Sequence, residues 1–505
     1  MNAPITGSKV AITIVAMLAA LMALIDISIV NVALSDIRAS FGTPIDQIGW
    51  VSTGYMMANI VVIPMTGWFQ RRFGFRAYFS TSVLLFTGAS ALCGLAWNLP
   101  SLVMFRVIQG MGGGAIIPTA QAILFQRFPR EQHGTAAALF GLGAITGPLL
   151  GPTIGGYLIE WSSWHWIFLV NVPIGIVVGL LIPRVIQEPG FEPDRRPIDL
   201  PGIALLAVGM ASLQYVLEEG NREGWGDSNL ILVLIAVATI ALVTFLVHEL
   251  ETDHPVVDLR VFRNRSYSAG TTLNFLLGFA LFGASYLFSL YCGAVMHYQA
   301  LDIGRVFLVA GLSQVFLMPI IGKMANTVDP RYMLLFGVSM ATLSQLVASE
   351  LTANAAFYDL VWPNLIRSVG LGFVFIPVSV AALSDLSPQI RGGATGLFNL
   401  TRELGGSLGT AWMGKVVADG ITTHSAQLGA HVSIYDPLTQ DAWRGIMRAG
   451  LDPAALLAHR VTTESMVLSF NDGFRLTMLS IGLGLITILL LKKPPARGGA
   501  PSGAH

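Results

Sequence analysis

Charge is what this chain of 505 residues lacks. Only 11% of it is Asp, Glu, Lys or Arg, against roughly a quarter in an ordinary soluble domain. A soluble fold of this size needs charge to cover its surface, so most of this surface faces something other than water. The 29 basic and 29 acidic residues cancel to zero. The only basic cluster is Arg71, Arg72 and Arg76, with no Lys/Arg run interleaved with aromatics, so nothing argues for nucleic acid. Cysteine is nearly absent: Cys93 and Cys292 both fall in apolar segments, where they read as small core residues, and they are too few for a metal site. A phosphate loop is missing as well. Gly112-Gly113-Gly114 is followed by no Gly-Lys-Ser/Thr and lies inside a helical pattern, and no nucleophile–base set is apparent. An ATP-driven pump is thereby excluded unless another subunit supplies the motor, and the chain offers no enzyme chemistry or cofactor site.

What the chain does have is apolar length. Hydrophobic residues make up 53% of it, and the mean hydropathy is +0.66. A spanning helix takes about 20 apolar residues. Fourteen stretches qualify: 11–34, 47–68, 77–98, 101–124, 135–158, 165–187, 199–219, 229–248, 268–293, 303–322, 332–351, 357–382, 393–417 and 473–492. Lys9 precedes an apolar run that continues to Val32 without a cleavage site, as a retained first helix does. Lys and Arg in short loops mark the cytoplasmic side. One side collects Lys9, Arg71, Arg72, Arg76, Arg127, Arg130, Arg184, Arg195, Arg196, Arg260, Arg263, Arg265, Lys323, Arg331, Arg391, Lys492, Lys493 and Arg497. The short loops of the other side hold Arg38, Arg222 and Arg305, and one long loop holds Arg444, Arg448 and Arg460. Both termini are therefore expected in the cytoplasm.

The chain also repeats itself. GTAAALFGLGAITGPLLG (134–151) aligns without a gap to GGATGLFNLTRELGGSLG (392–409), and RVIQGMGGGAIIP (106–118) resembles RSVGLGFVFIP (367–377). The fourth and fifth spans thus recur as the twelfth and thirteenth. The division expected is a six-helix bundle over 1–190, two inserted helices over 191–260, and a second six-helix bundle over 261–417 and 473–492. A periplasmic loop would cover 418–472 and a cytoplasmic tail 493–505. Two parallel halves are the architecture of alternating-access carriers, with the cargo between them near the midplane.

In the fifth span Gly143, Gly147, Gly151 and Gly155 recur every four residues, with Gly156 beside them, forming a stripe free of side chains that lets another backbone approach closely. Pro148 and Pro152 each remove an intrahelical hydrogen bond and should bend the helix. A tight, bent seal between the halves is the expectation. This segment resembles the antiporter motif of the drug:proton antiporters in the major facilitator superfamily. GWFQRRFGFR (67–76) resembles the superfamily's cytoplasmic gating loop through Gly67, Arg72, Gly74 and Arg76, but Arg71 stands where the usual Asp would be. LVMFRVIQGMGGG (102–114) is similar to its fourth-helix motif, with Arg106 as the buried arginine. LIDISIVNVAL (24–34), WHWIFLVNVPIG (164–175) and HPVVDLRVF (254–262) look like landmarks of the fourteen-helix EmrB/QacA group. The resemblance runs end to end. It implies an all-α major facilitator fold of fourteen helices and proton-driven export of hydrophobic, drug-like compounds. It also implies docking to a periplasmic adaptor (a membrane fusion protein) and, through it, to an outer-membrane channel. The other reading is a proton-coupled symporter for peptides or nutrients, against which the paired Gly-Pro of the fifth span argues.

Charges inside spans cost about 2.5–3.5 kcal/mol each on insertion scales, so each calls for an explanation. Asp26 lies about two-thirds along the first span, and Arg106 lies at a similar depth in the fourth. A buried carboxylate that is neutral in one state and charged in another couples a proton to a conformational change; a static ion pair, or an arginine bracing helix backbones, is the plainer reading. Glu403, beside Arg402 near mid-membrane, is the second candidate for proton or cation binding, with a local pair as the alternative. Arg367 is the repeat partner of Arg106 and reads as structural. Tyr55, Asn59, Gln121, Asn274, Tyr286 and Gln314 are polar candidates for the cargo cavity, among abundant methionines that suit varied ligands. The 418–472 stretch, with His424, His431, Tyr435 and Trp443, reads as a polar loop with helical character over 452–468.

Overall fold

A computed structural model describes residues 5–44, 47–195, 197–432, 439–440, 443–444, 447 and 452–490. Arg196, Tyr435, Arg448, Lys492, Lys493 and Arg497 lie outside the described residues, as do the side chains of Pro148, Pro152 and His431. The described chain is helical throughout, apart from one isolated bridge between Thr6 and Gln187.

The fourteen spans form. They are α1 (Lys9–Phe41), α2 (50–73), α3 (75–93), α4 (Leu99–Arg127), α5 (His133–Trp161), α6 (Asn171–Val185), α7 (Leu200–Glu219) and α8 (Asn229–Glu251). They continue with α9 (Arg265–Ala294), α10 (Ala300–Ala325), α11 (Pro330–Ala348), α12 (Phe357–Leu383), α13 (Pro388–His431) and α14 (Pro453–Leu490). α2 and α3 are one hydrogen-bonded run broken at Gly74, whose φ of 79° is open to glycine at little cost. The new amino end at α3 is capped from afar: the backbone N–H groups of Phe75 and Arg76 donate to the Glu188 carboxylate at 3.0 and 2.8 Å. Elsewhere the caps are local. Asn98 and Ser101 form a reciprocal capping pair at α4, and Asp199, Asn264 and Asp329 cap α7, α9 and α11. α5 continues as helix through Pro148 and Pro152.

Two spans outrun the membrane. α13 has 44 residues and α14 has 38, or roughly 66 and 57 Å at 1.5 Å per residue, against a hydrocarbon core of about 30 Å. Most of the described part of the expected loop is therefore helix. Residues 418–431 continue α13, and 453–472 lead into α14, where His424 Nε2 lies 2.8 Å from Asp472 Oδ2.

The loops α2–α3, α4–α5 and α8–α9 share one side, called the basic face below after Arg71, Arg72, Arg127, Arg130, Arg260 and Arg263. There the first six helices meet the last six along two seams. In the α2–α13 seam a methyl added to Gly67 would lie 2.3 Å from Gly393 Cα, and one on Gly396 would lie 2.7 Å from the Ile63 carbonyl oxygen. In the α5–α10 seam Gly134 faces the Gly322 carbonyl, and Gly322 faces Ala138. The repeat that carries α5 onto α13 carries α2 onto α10, so each seam is the image of the other. Polar groups tie the same face: Arg391 Nη1 donates to the Phe125 carbonyl (3.2 Å), Gly134 N to Asn326 Oδ1 (2.9 Å), and Asn399 Nδ2 to Gln121 Oε1 (2.6 Å). His133 Nδ1 lies 2.8 Å from Ser384 Oγ.

The glycine stripe of α5 serves a different contact from the one expected. Methyls on Gly147, Gly151 and Gly155 would strike Leu24, Ser28 and Ile29 of α1, while Gly143 and Gly156 have open space. The seal between the halves uses the neighbouring face of α5, where Gly134, Ala138 and Gly141 meet α10 and α12. A step of four residues turns a helix by about 40°, so one stripe follows one partner, and here that partner is α1. A Gly67→Val variant is expected to hold the α2–α13 seam apart and to destabilise the protein by about 1–3 kcal/mol, the range for overpacking a close contact. Thermal melting of the purified protein in detergent checks this.

Candidate functional site

Asp26 and Arg106 meet, as their equal depth suggests. Arg106 Nη1 lies 2.6 Å from Asp26 Oδ2, and both side chains are withdrawn from solvent. The carboxylate is fully subscribed: its other oxygen accepts from Gln109 Nε2 and Asn171 Nδ2, each at 2.8 Å. Asn171 in turn reaches Ser90 Oγ at 3.2 Å. The guanidinium also donates to the Val51 carbonyl (3.1 Å) and to Gln109 Oε1 (2.8 Å), and it lies 4.2 Å from the centre of the Tyr55 ring. Donors from α4 and α6 thus converge on one acid of α1. Coulomb attraction is strong in such surroundings, but desolvation offsets much of it, and the count of donors decides how firmly the pair is held. Arg106 both pairs with the acid and braces the α2 backbone. Gln109 and Asn171 were not singled out from sequence. Gln109, one turn beyond Arg106 on α4, was findable from its spacing; Asn171, on a helix distant in sequence, was not.

Glu403 has a different setting. It keeps 27% of its side-chain surface, while its neighbour Arg402 is buried and 3.7 Å away. Arg402 also donates to Asn399 Oδ1 at 3.1 Å. Glu403 therefore sits one turn past Asn399, the residue that crosses to Gln121, on the same helix that carries Gly393 and Gly396 into the seam.

The other candidates divide. Tyr55 and Asn59 face each other at 3.4 Å beside the Arg106 cluster. Gln121 takes part in the cross-half bond to Asn399, and its own Nε2 has no partner. Asn274 donates to the Phe398 carbonyl at 2.6 Å and Gln314 to that of Ser368 at 2.7 Å, so both are engaged between packed helices. Tyr286 lies half-buried beside Gly414. Arg367 donates to Asn364 and Ser285.

At the gating loop Arg71, in place of the usual acid, reaches the Pro255 carbonyl at 3.5 Å, and Arg72 donates to the Asp194 carbonyl at 2.6 Å. Arg76 is exposed. The segment after α8 completes the closure: Val256 and Val257 are buried, lining a small space with Pro64, Arg71, Gly393 and Ala394. Glu188, from the chain that follows α6, caps α3 at this loop.

Truncating Arg106 to Ala leaves Asp26 buried with two neutral donors. The expected cost is about 3–5 kcal/mol, the range for stranding one partner of a buried pair. Asp26→Asn in the same background should recover part of it. Thermal melting of the purified protein in detergent checks both, and equal melting of the single and double variants would refute this account.

Sequence and fold comparisons agree with the geometry. The Major Facilitator Superfamily model matches residues 16–410. The chain is 33% identical to the multidrug export protein EmrB of Haemophilus influenzae, over 97% of this chain and 96% of that one. It is equally 33% identical to EmrB of Escherichia coli K12, over 99% of each. Among solved structures the human organic anion transporter MFSD10 superposes with a TM-score of 0.61 at 14% identity, over 94% of this chain and all of that one, a likeness of fold alone. This chain is a multi-pass membrane transporter that belongs to the major facilitator superfamily.

Proposed function

We propose that the chain is a proton-coupled antiporter that exports hydrophobic and amphipathic small molecules across the bacterial inner membrane. Both termini lie in the cytoplasm on this reading, which makes the basic face cytoplasmic. The observation that carries the reading is the placement of Glu403. It is a partly exposed acid on the helix whose previous turns form the closed seam. A proton taken or lost there changes the charge one turn from the Asn399–Gln121 contact, on the helix that carries Gly393 into the seam, and these are contacts that must part when the cytoplasmic side opens. The names of the full-length relatives, multidrug export proteins, support the cargo class.

Asp26 serves as the second coupling group. In the state described it is fully paired. Opening the other way would draw the donors from α4 and α6 away from the carboxylate, and a proton can then take their place. The same alternation releases the cargo and admits the proton. The energy source is the proton gradient, with no cofactor. The α2–α13 and α5–α10 seams support a division into a first half over 1–190 and a second over 261–417 and 473–492, with α7 and α8 (191–260) inserted between them.

The α13–α14 extension supports a periplasmic adaptor and, beyond it, an outer-membrane channel as partners. Two long helices side by side give a rigid docking post, which a flexible loop would not.

In everted vesicles, acidifying the lumen should drive uptake of a fluorescent dye. Asp26→Asn and Glu403→Gln should each slow it by about tenfold, or about 1.4 kcal/mol on the barrier, and should lower resistance in a pump-deficient host. If both variants protect as well as wild type, the coupling assignment is wrong. Replacing residues 425–465, which include most of the paired helical extension, by a short Gly-Ser linker should abolish capture of the co-expressed adaptor while dye uptake into vesicles persists. Pull-down with the adaptor as bait measures it, and undiminished capture refutes the docking post.

A further inference from the structure

The inserted helix α7 is more than a spacer. At the end away from the basic face it lies between α2 and α13 and is bonded to both. On the α2 side, Tyr215 packs on Trp50 with ring centres 5.4 Å apart, and Thr53 Oγ1 donates to Glu219 Oε1 at 3.3 Å. On the α13 side, Gln214 Nε2 donates to Ser407 Oγ at 3.1 Å and Asn221 Nδ2 to the Ala411 carbonyl at 2.8 Å. At 100° per residue, Glu218 points about 40° from Gln214 and about 60° from Tyr215, between the two contacts. It therefore points between the α2 and α13 contacts, and it is exposed.

The side chains around it form a continuous polar strip. Gln214 Nε2 donates to Glu218 Oε1 at 2.9 Å as well as to Ser407. Ser407 is one helical turn beyond Glu403. Gln214 is 1% exposed, yet its Oε1 has no hydrogen-bond partner. A buried acceptor left open beside a carboxylate is an expensive arrangement for packing alone, and it suits a ligand that brings a positive charge or a donor. The nearby basic residue Arg222 is directed elsewhere, to Glu219 at 2.9 Å and Glu223 at 3.6 Å.

We propose that Glu218 is a second acidic contact of the transport site, supplied by the inserted helix, and that the strip Glu403–Ser407–Gln214–Glu218 receives the cationic end of amphipathic cargo. The proposal rests on the export reading and extends it to cargo charge. It makes the inserted hairpin part of the recognition surface, and it explains why α7 carries a carboxylate within its last turn where the neighbouring positions are apolar or paired.

The test uses the full-length protein in lipid nanodiscs and two probes of similar shape, the cation tetraphenylphosphonium and the neutral triphenylphosphine oxide. In Glu218→Gln the ratio of cation affinity to neutral affinity should fall about fivefold. Glu218→Asp, which keeps the charge, should hold the ratio within about twofold of wild type. Thermal melting reports whether each variant is folded. If wild type binds both probes and Glu218→Gln leaves the ratio unchanged, or if Gln and Asp lower it equally, this proposal fails while export stands. If wild type binds neither probe, the export reading fails with it.

Discussion

A charged acid inside a helical bundle bathed in hydrocarbon must find its solvation within the protein, and Asp26 does so with three donors from two other helices. Arg106 and Gln109 come from α4 and Asn171 from α6, while Arg106 also grips the α2 backbone. The first bundle is therefore assembled around one carboxylate. Helix packing in lipid gains no hydrophobic driving force, so such polar contacts and close van der Waals fit determine which helices adjoin. In the state described the same cluster ties α1, α2, α4 and α6 together: separating any one of these helices breaks a bond of the buried pair.

Close fit is the other half of the assembly, and glycine supplies it in two distinct roles. On α5 the stripe at Gly147, Gly151 and Gly155 fastens α1, inside the first bundle. On the basic face Gly67, Gly393, Gly396, Gly134 and Gly322 join the halves. The former contact lies within a bundle held by a buried ion pair. The latter is crossed by separate hydrogen bonds such as Arg391 to Phe125 and Asn399 to Gln121, each of which can be exchanged singly, and this suits a seam between rocking halves.

Much of this was legible in the sequence, because hydrocarbon imposes simple rules. Apolar length gave the fourteen spans, including those at 199–219 and 357–382 that polar residues interrupt. The match of 134–151 to 392–409 anticipated the symmetry of the two seams. Equal depth along two helices brought Asp26 and Arg106 together. Less legible was anything that depended on a third partner. Repeat spacing showed that α5 carries a bare stripe but not that α1 occupies it. Asn274 and Gln314 have the composition of cavity residues, yet each is taken up by a backbone carbonyl between helices. The substitution of Arg71 in the gating loop signalled a missing acid, but no spacing pointed to Glu188, more than a hundred residues away, as the group that caps α3. Polar residues over 418–472 suggested a loop, whereas helices can be wholly polar outside the membrane when they pair with each other.

That pairing has a mechanical consequence. The 44 residues of α13 join the Gly393 contact to His431 in a single rod. The portion past Val417 is about 21 Å long. A rod pivoting deep in the bundle magnifies small rotations, so a tilt of ten degrees at the seam sweeps its far tip through several ångström. Any protein seated on that tip feels each turnover as a tug, and a stiff assembly bound there resists the tilt in return.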